Sequence, residues 1–290
     1  MKILRHGFAA LVGTCMLAGP GHAQFVPYDN FNGGFIDAEL WEGISTEGSF
    51  IAPAEEGLRV VENGAVRFKL VAWGNDTSDT GSVVTRQGLN IRQLGTLGGS
   101  GSITGFKAKV TVHDADVQDC PTNPETSAPA TGQAQLIGAL FNDGTGPGGV
   151  DPTGDILAII ELRKNRNGTN TIFAAVTRVP SSSSPGSIAI AVAGNPATFG
   201  TSWSLDTPVI LKMIWDQVNG KVKFQVIDPV TALVVESANV VYQGTVTQAG
   251  PPISDFKSVR LRNTAENCNA DRKRTLMDAF FDNVSVKRAP

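Results

Sequence analysis

Acidic side chains that could work as a catalytic pair are sparse on the apolar segments of this sequence. Asp155 and Glu161 stand on one face of the segment DILAIIE, six positions apart. Because an extended strand advances about 3.3 Å per residue, their carboxyl groups would lie roughly 20 Å apart. A retaining glycosidase needs two carboxyl groups separated by about 5–5.5 Å. These two acids are therefore not expected to act on one bond, and Glu161 alone lacks a partner.

Nucleophilic hydrolysis needs a base, and histidine is scarce. His113, in the segment VHDAD, is the sole histidine beyond residue 23. The sequence contains no G-x-S-x-G elbow for a nucleophilic serine. Neighbouring aspartates do not by themselves define a triad, so His113 is interpreted as a strand-end histidine beside solvated acids.

Carbohydrate recognition needs flat apolar rings for the CH faces of a sugar and polar groups for its hydroxyls. Trp73 precedes Asn75 and Asp76, and Trp203 lies between two serines. Both tryptophans stand at predicted junctions of strand and loop, where each could be a platform for a sugar. Each could equally be a lid on the core, because a tryptophan ring buries a large apolar area.

Several basic side chains could bind the carboxylate of an anionic sugar if they project from one face of a sheet. The alternative is a solvated polar face, where most charged side chains lie. The basic residues in question are Arg67, Lys69, Arg163, Arg260 and Arg262. The predicted carbohydrate site combines Trp73, Asn75, Asp76, Trp203, Arg260 and Arg262.

The two cysteines beyond residue 23, Cys120 and Cys268, are predicted to form a disulfide bond, since an exported chain meets an oxidising compartment. The bond would close a loop of about 148 residues and contribute roughly 5 kcal/mol at most on the chain-entropy model. Two unpaired thiols are the alternative. A zinc site is not favoured, because only His113 remains to assist the cysteines.

A structural calcium ion is the other cofactor that the sequence suggests. Calcium prefers carboxylate and carbonyl oxygens as ligands. Asp29 and Asp282 stand in the predicted first and last strands, and they could hold one ion if those strands are neighbours. The alternative is two aspartates that accept hydrogen bonds from backbone amides at strand ends.

The N-terminal residues have the layout of a secretory signal peptide. Lys2 and Arg5 precede an apolar run at 8–17, and small residues precede a predicted cleavage after Ala23. Lipidation at Cys15 is the alternative. The apolar run is too short to span a bilayer, and no other stretch is long and apolar enough for a transmembrane segment. We therefore predict a secreted protein, periplasmic or extracellular.

Residues 24–290 are predicted to form a single β-sandwich domain, since one β domain can run to roughly 200–250 residues. Removing Lys2 and Arg5 leaves 24 − 2 = 22 basic residues against 27 acidic ones. Such a balance provides no global attraction for nucleic acid. The 32 glycines and 16 prolines favour short strands and many turns.

Hairpin signals divide the apolar segments. Asn219-Gly220 separates VILKMIWD from KVKFQVID and predicts a tight turn between two strands. Asn63-Gly64 and Asn167-Gly168 predict two further hairpins. About a dozen strand candidates separated by such signals are typical of an all-β sandwich or barrel.

Three segments resemble the concanavalin A-like lectin/glucanase superfamily. They are the opening YDNFNGGFIDAELW, the central TPVILKMIWDQVNGKVKFQVID and the ending AFFDNVSV. The resemblance implies a two-sheet antiparallel jelly-roll sandwich, with the N- and C-terminal strands adjacent and a sheet face that often binds carbohydrate. Members include lectins, glycoside hydrolases, polysaccharide lyases and non-catalytic modules, so the fold implies no single function. The Glu-x-Asp-x-x-Glu motif of its retaining glucanases is absent from this sequence.

The favoured hypothesis is a secreted, non-catalytic, lectin-like domain whose partner is a polysaccharide or another glycan. The first alternative is a polysaccharide-degrading enzyme of the same fold, either a hydrolase or a lyase. The second is a structural or interaction protein without a small ligand, which predicts that no cleft gathers the basic residues named above.

Overall fold

The computed structural model describes residues 24–34, 36–37, 40–45, 55–91, 103–124, 129–147, 149–181 and 187–288. The predicted signal peptide, including Cys15, lies outside these residues. Within them the chain forms sixteen β-strands and no helix. The strands are β1 (Val26–Asp29), β2 (Trp41–Ser45), β3 (Glu55–Glu62), β4 (Ala65–Trp73), β5 (Ser82–Ile91), β6 (Ile103–Val117), β7 (Thr131–Asn142), β8 (Asp155–Asn165), β9 (Asn170–Arg178), β10 (Ile188–Ala189), β11 (Ala197–Thr198), β12 (Val209–Asp216), β13 (Lys221–Ile227), β14 (Val234–Val241), β15 (Lys257–Glu266) and β16 (Arg274–Arg288).

The strands form two antiparallel sheets. Sheet A has the order β14-β13-β12-β6-β16-β4-β3, and β1 pairs with β16 as well. Sheet B has the order β10-β9-β8-β7-β15-β5-β2, and β11 pairs with β9. One hydrophobic cluster contains side chains of both sheets, among them Phe68 and Phe106 of sheet A and Leu136 and Ile160 of sheet B. The two layers therefore pack face to face, which confirms the predicted jelly-roll sandwich.

The first and last strands are neighbours, as the resemblance implied. β1 pairs antiparallel with β16, and Val26 lies opposite Val286. The indole ring of Trp41, where β2 begins, stacks on Phe31 just beyond β1, with ring centroids 5.6 Å apart. Trp41 and Trp215 are 3% and 8% exposed, so both belong to the core.

The three hairpins form, but one turn differs from its prediction. At Asn63-Gly64 both residues have positive φ, 52° and 73°, as a two-residue turn requires. At Asn219-Gly220 only Gly220 has positive φ, and the turn extends over 217–220. The Asp216 carboxylate accepts hydrogen bonds from the backbone and side-chain nitrogens of Asn219. These two hydrogen bonds stabilise the longer turn. The prediction of a tight turn is therefore wrong here.

Cys120 and Cys268 form the predicted disulfide bond, with their Cα atoms 5.5 Å apart. The bond ties the segment between β6 and β7 to the segment between β15 and β16. No helix of the described residues is long and apolar enough to cross a membrane.

Candidate functional site

The outer face of sheet B carries a cluster of polar and charged side chains, which we call the arginine face. On β15, Val259 and Leu261 are fully buried in the core. Because successive side chains of a strand point to opposite faces, Arg260 and Arg262 project outward. Neighbouring strands add their outward side chains to the cluster. The arginine face consists of Arg86, Gln133, Gln135, Glu161, Arg163, Arg260 and Arg262.

Strand register arranges these side chains in two rows across β5, β15, β7 and β8. One row runs through the directly paired residues Arg86, Arg262, Gln133 and Arg163. The parallel row runs through Gly88, Arg260, Gln135 and Glu161. With about 4.8 Å between strands, each row spans roughly 14 Å. Cations and amides from four strands thus form one continuous surface.

Glu161 is the acid of the arginine face, and its side chain is only 2% exposed. One carboxylate oxygen accepts a hydrogen bond from Nε of Arg163 at 2.6 Å and forms an ion pair with its Nη2 at 2.5 Å. The other oxygen accepts a short hydrogen bond from the amide of Gln135. Both oxygens are therefore occupied, which leaves Glu161 poorly suited to donate a proton or attack a substrate.

Two glutamines hold two further guanidinium groups in place. Nε of Arg260 donates to Oε1 of Gln135 at 2.8 Å, and Nη1 of Arg262 donates to Oε1 of Gln133 at 3.1 Å. The glutamines are themselves linked, because Nε2 of Gln135 donates to Oε1 of Gln133 at 3.0 Å. Each is 3% exposed. They form a rigid polar floor that presets the directions of the arginines.

Gly88 makes room for Arg260. A Cβ atom at position 88 would lie 2.4 Å from Cβ of Arg260 and 2.5 Å from the carbonyl oxygen of Val259. Contacts that short require the backbone or Arg260 to move. The side-chain arrangement of the arginine face therefore depends on a glycine at position 88.

The arginine face carries an excess of positive charge, since four guanidinium groups surround one carboxylate. Burial lowers the pKa of Arg260, and repulsion from Arg86 and Arg262 lowers it further. Burial and Arg86 also lower the pKa of Arg262, although Glu161 opposes this shift. Such shifts mean that holding these guanidinium groups charged costs free energy, which a bound anion would offset.

The predicted carbohydrate residues do not form one site. Arg260 and Arg262 lie on the arginine face of sheet B. Trp73 ends β4 of sheet A, where the alternation that buries Leu70 turns Trp73 to the outer side. Asn75 and Asp76 follow it, and their carbonyl oxygens accept hydrogen bonds from the segment that contains Cys268. Trp73 therefore lies on the outer side of the other sheet, and Asn75 and Asp76 lie in the loop between β4 and β5.

The prediction that Trp203 is a sugar platform is wrong. Its side chain is 3% exposed and belongs to the hydrophobic core. Its indole nitrogen donates to the carbonyl oxygen of Arg163 at 3.2 Å. The ring is therefore the lid that the alternative interpretation described, and it supports the strand that carries Arg163.

Asp29 and Asp282 are each held by their own donors. The carboxylate of Asp29 accepts from the backbone nitrogen of Phe31 at 2.7 Å and from the indole of Trp41 at 2.6 Å. Asp282 forms an ion pair with Lys109 and accepts from the backbone of Asn283 at 2.6 Å. A calcium ion would have to displace these donors. The calcium site stays a prediction, which the change in melting temperature on chelation would test.

Among the described residues, the histidine and the two tyrosines, which could serve as a base in elimination, lie away from the arginine face. His113 projects from β6 of sheet A and bonds Asp206 at 2.8 Å. This hydrogen bond raises the pKa of His113. Tyr242 is fully buried and accepts a hydrogen bond from Trp215, and the hydroxyl of Tyr28 donates to the carbonyl of Leu40.

Arg67 and Lys69 belong to sheet A, where Arg67 pairs with Asp278 at 2.8 Å.

Sequence reasoning missed Arg86, Gln133 and Gln135 as members of the site. The signal that could have found them is the spacing of two in QAQ, which places both glutamines on one face of a strand. Their importance depends on strand neighbours, however. Only the placement of β7 between β15 and β8 brings Gln135 between Arg260 and Glu161, and Gln133 into the neighbouring row.

The fold and the arginine face define a jelly-roll sandwich with a cationic outer face on one sheet. No protein-family model matches the sequence, and no curated protein matches it. The chain is similar to the solved structure of an immunostimulatory antigen and pseudo beta-1,3-glucanase of Mycobacterium tuberculosis, with 13% identity over 93% of this chain and 100% of that chain and a TM-score of 0.43.

Two further solved structures are those of a lectin and an alginate lyase. The chain is similar to a winged bean acidic lectin complexed with methyl-alpha-D-galactose, with 12% identity over 92% of this chain and 100% of that chain and a TM-score of 0.36. It is similar to an alginate lyase in complex with alginate trisaccharide, with 11% identity over 87% of this chain and 99% of that chain and a TM-score of 0.36. Likenesses this distant carry no information about a ligand or an activity.

Proposed function

We propose that this protein binds an acidic polysaccharide and that the arginine face receives its carboxylate groups. The observation that carries the proposal is the gathering of Arg86, Arg163, Arg260 and Arg262 around one occupied carboxylate. A guanidinium group offers two parallel N–H donors that match a carboxylate, so a row of arginines suits the uronate units of an acidic sugar chain.

Two features support an extracellular place of action. The sequence predicts a signal peptide, and a disulfide bond joins Cys120 to Cys268. Disulfides persist in oxidising compartments. We therefore propose that the protein meets its polysaccharide outside the cytoplasm.

The proposal predicts binding that depends on charge and on Arg260 and Arg262. We expect binding to alginate or polygalacturonate, and none to a neutral glucan of similar length. Changing Arg260→Gln or Arg262→Gln should weaken binding about tenfold to a hundredfold, since a hydrogen bond to a charged group contributes about 1.5–3 kcal/mol. Isothermal titration calorimetry measures the change. Neither substitution should unfold the protein, because each removes a buried charge that is repelled by its neighbours.

Arg274→Gln provides the matched control. Arg274 lies in sheet A, is 41% exposed and pairs with Asp116 at 3.2 Å. Its loss changes the net charge by the same amount but leaves the arginine face intact, so binding should stay within twofold of the parent. If Arg274→Gln weakened binding by the same factor, binding would depend on net charge alone and not on the arginine face. Absence of binding to every polyuronate would end the proposal.

A polyuronate lyase is the second candidate, because guanidinium and amide groups of this kind can also neutralise a uronate during elimination. Elimination needs a base as well, and His113, Tyr28 and Tyr242 lie elsewhere in the fold. We therefore expect polyuronate to be bound without the appearance of unsaturated ends. Release of unsaturated ends, followed by ultraviolet absorbance, would favour the enzyme over the binding domain.

A further inference from the structure

A second cationic surface lies on the outer face of sheet A, away from the arginine face. It consists of Lys107, Lys212, Lys223 and Lys287, which we call the lysine patch. Lys212 lies directly opposite Lys107 on the neighbouring strand. In the adjacent row, Lys223 pairs with Ile214, Ile214 pairs with Gly105, and Gly105 pairs with Lys287. At about 4.8 Å per strand and 3.4 Å per residue, the patch measures roughly 14 by 7 Å.

The lysines of the patch lack the acidic partners that neighbouring cations have. Near the patch, Lys109 pairs with Asp282 and Lys221 pairs with Asp216 at 3.5 Å, and farther along the sheet Arg67 pairs with Asp278 at 2.8 Å. Among the residues that the structure describes, no acid forms an ion pair with the four patch lysines. Acidic partners therefore occur elsewhere on this face of sheet A, but no described acid pairs with a lysine of the patch.

Phe25 lies at the centre of the lysine patch and holds two of its ammonium groups. Nζ of Lys212 lies 4.9 Å from the centroid of the Phe25 ring, and Nζ of Lys107 lies 5.3 Å from it. Both distances suit a cation–π contact. A Cβ atom at Gly105 would lie 2.8 Å from Cζ of Phe25. The glycine therefore leaves space for the ring to pack against the sheet. The ring organises the ammonium groups and is not free to stack on a sugar.

Like charges directly opposite each other on adjacent strands destabilise a sheet. Burial lowers the pKa of Lys212, and repulsion from Lys107, Lys223 and Lys287 lowers it further. The fold thus tolerates an unfavourable concentration of positive charge in a chain whose formal net charge is −3. A ligand with several negative charges would relieve this repulsion.

We infer that the lysine patch docks the protein on an anionic phospholipid surface. The four ammonium groups project from one face of one sheet, so a plane of headgroup phosphates can meet all of them together. A linear polyanion that follows one row meets two, because Ile214 and Gly105 separate the lysines of the other row. Lysine also lacks the paired donors that favour a carboxylate, and it suits phosphate as a point charge.

Docking of this kind is peripheral and electrostatic. Each lysine close to an anionic leaflet should strengthen partitioning about fivefold, and the effect should disappear near 0.5 M salt. If export removes residues 1–23 as predicted, the new amino group of Gln24 stands one residue from Phe25 and adds a fifth positive charge. The inference does not depend on polysaccharide binding, because it concerns the other sheet and another ligand.

Vesicle co-sedimentation tests the inference with the exported protein, whose N-terminus is first read by mass spectrometry. We expect binding to vesicles of phosphatidylcholine mixed with phosphatidylglycerol, and none to phosphatidylcholine alone. The double variant Lys107→Gln/Lys212→Gln should lower the partition coefficient about 25-fold. Its melting temperature should be equal or higher, since the substitutions remove repulsion. A lower partition coefficient at an equal or higher melting temperature is not caused by unfolding.

Lys164→Gln/Lys273→Gln is the matched control, because it removes two charges outside the patch. Lys164 bonds the carbonyl of Gly168 at 2.7 Å, and Lys273 pairs with Asp271 at 2.5 Å. The control should bind anionic vesicles like the parent. Equal losses in both double variants, or no binding to anionic vesicles, would overturn the inference. Patch-dependent binding to dextran sulfate without binding to vesicles would overturn it in favour of a soluble polyanion.

Discussion

Replacing Glu161 by glutamine is expected to lower the free energy of unfolding by about 3–5 kcal/mol, the usual cost of breaking a buried ion pair from one side. The carboxylate accepts from Arg163 with one oxygen and from Gln135 with the other. A glutamine at 161 turns an NH₂ group toward one of these donors. Gln135 cannot rotate its amide to compensate, because its oxygen accepts from Arg260. The variant therefore leaves a donor unsatisfied and removes the acid from among four guanidinium groups.

Thermal unfolding measures this effect, and the melting temperature should fall by roughly 6–20 °C. Glu62→Gln is the control, since Glu62 pairs with Arg67 at 3.0 Å but is 43% exposed. An exposed ion pair contributes about 0–1 kcal/mol, so this control should change the melting temperature little. Equal melting temperatures for Glu161→Gln and the parent would mean that the carboxylate does not hold the arginine face together.

The same variant connects stability to the proposed ligand. Without Glu161 the face is more positive, so a polyuronate should restore more stability to the variant than to the parent. A ligand at a hundred times its dissociation constant stabilises a protein by about 2.7 kcal/mol, and tighter binding increases this amount. The difference between the two ligand-induced shifts in melting temperature is the quantity to compare. A larger shift in the parent would contradict charge-driven binding at this face.

The sequence predicted the fold well because its signals are local. The alternation of Val222, Phe224 and Val226 with polar residues identifies one buried face of β13, and all three are at most 2% exposed. The paired positive φ angles at Asn63-Gly64 follow from residue type in the same way. Asn219-Gly220 differs because Asp216, three residues earlier in the chain, bonds Asn219 and lengthens the turn.

The site was harder to predict because it depends on which strands are neighbours. Alternation places Arg260 and Arg262 on one face, but it does not reveal that β7 and its glutamines lie beside them. Tryptophan was the weaker guide, since the same ring can cover a core or hold a sugar. Trp203 covers the core. Arg260 and Arg262, by contrast, alternate with the buried Val259 and Leu261, so their positions alone place them on the outer face.

Removing the disulfide bond is expected to have the other large effect. The double variant Cys120→Ala/Cys268→Ala should lower the free energy of unfolding by about 2–5 kcal/mol. The bond joins residues 148 positions apart, so it limits the freedom of a large part of the unfolded chain. Urea unfolding should show a lower midpoint and a steeper dependence on denaturant, because the unlinked chain exposes more surface when it unfolds.

The folded form should survive this change, because other bonds hold the same two segments. The buried carboxylate of Glu266 accepts from the backbone nitrogens of Cys120 and Ala130, at 2.8 and 3.0 Å. The amide of Asn123 donates to the carbonyl oxygens of Gly81 and Asn267, at 3.0 and 2.8 Å. Polyuronate and vesicle binding at room temperature should therefore match the parent, and reduction of the parent should reproduce the lower midpoint. If the double variant were fully folded but did not bind, the disulfide bond would shape the native surface as well as restrict the unfolded chain.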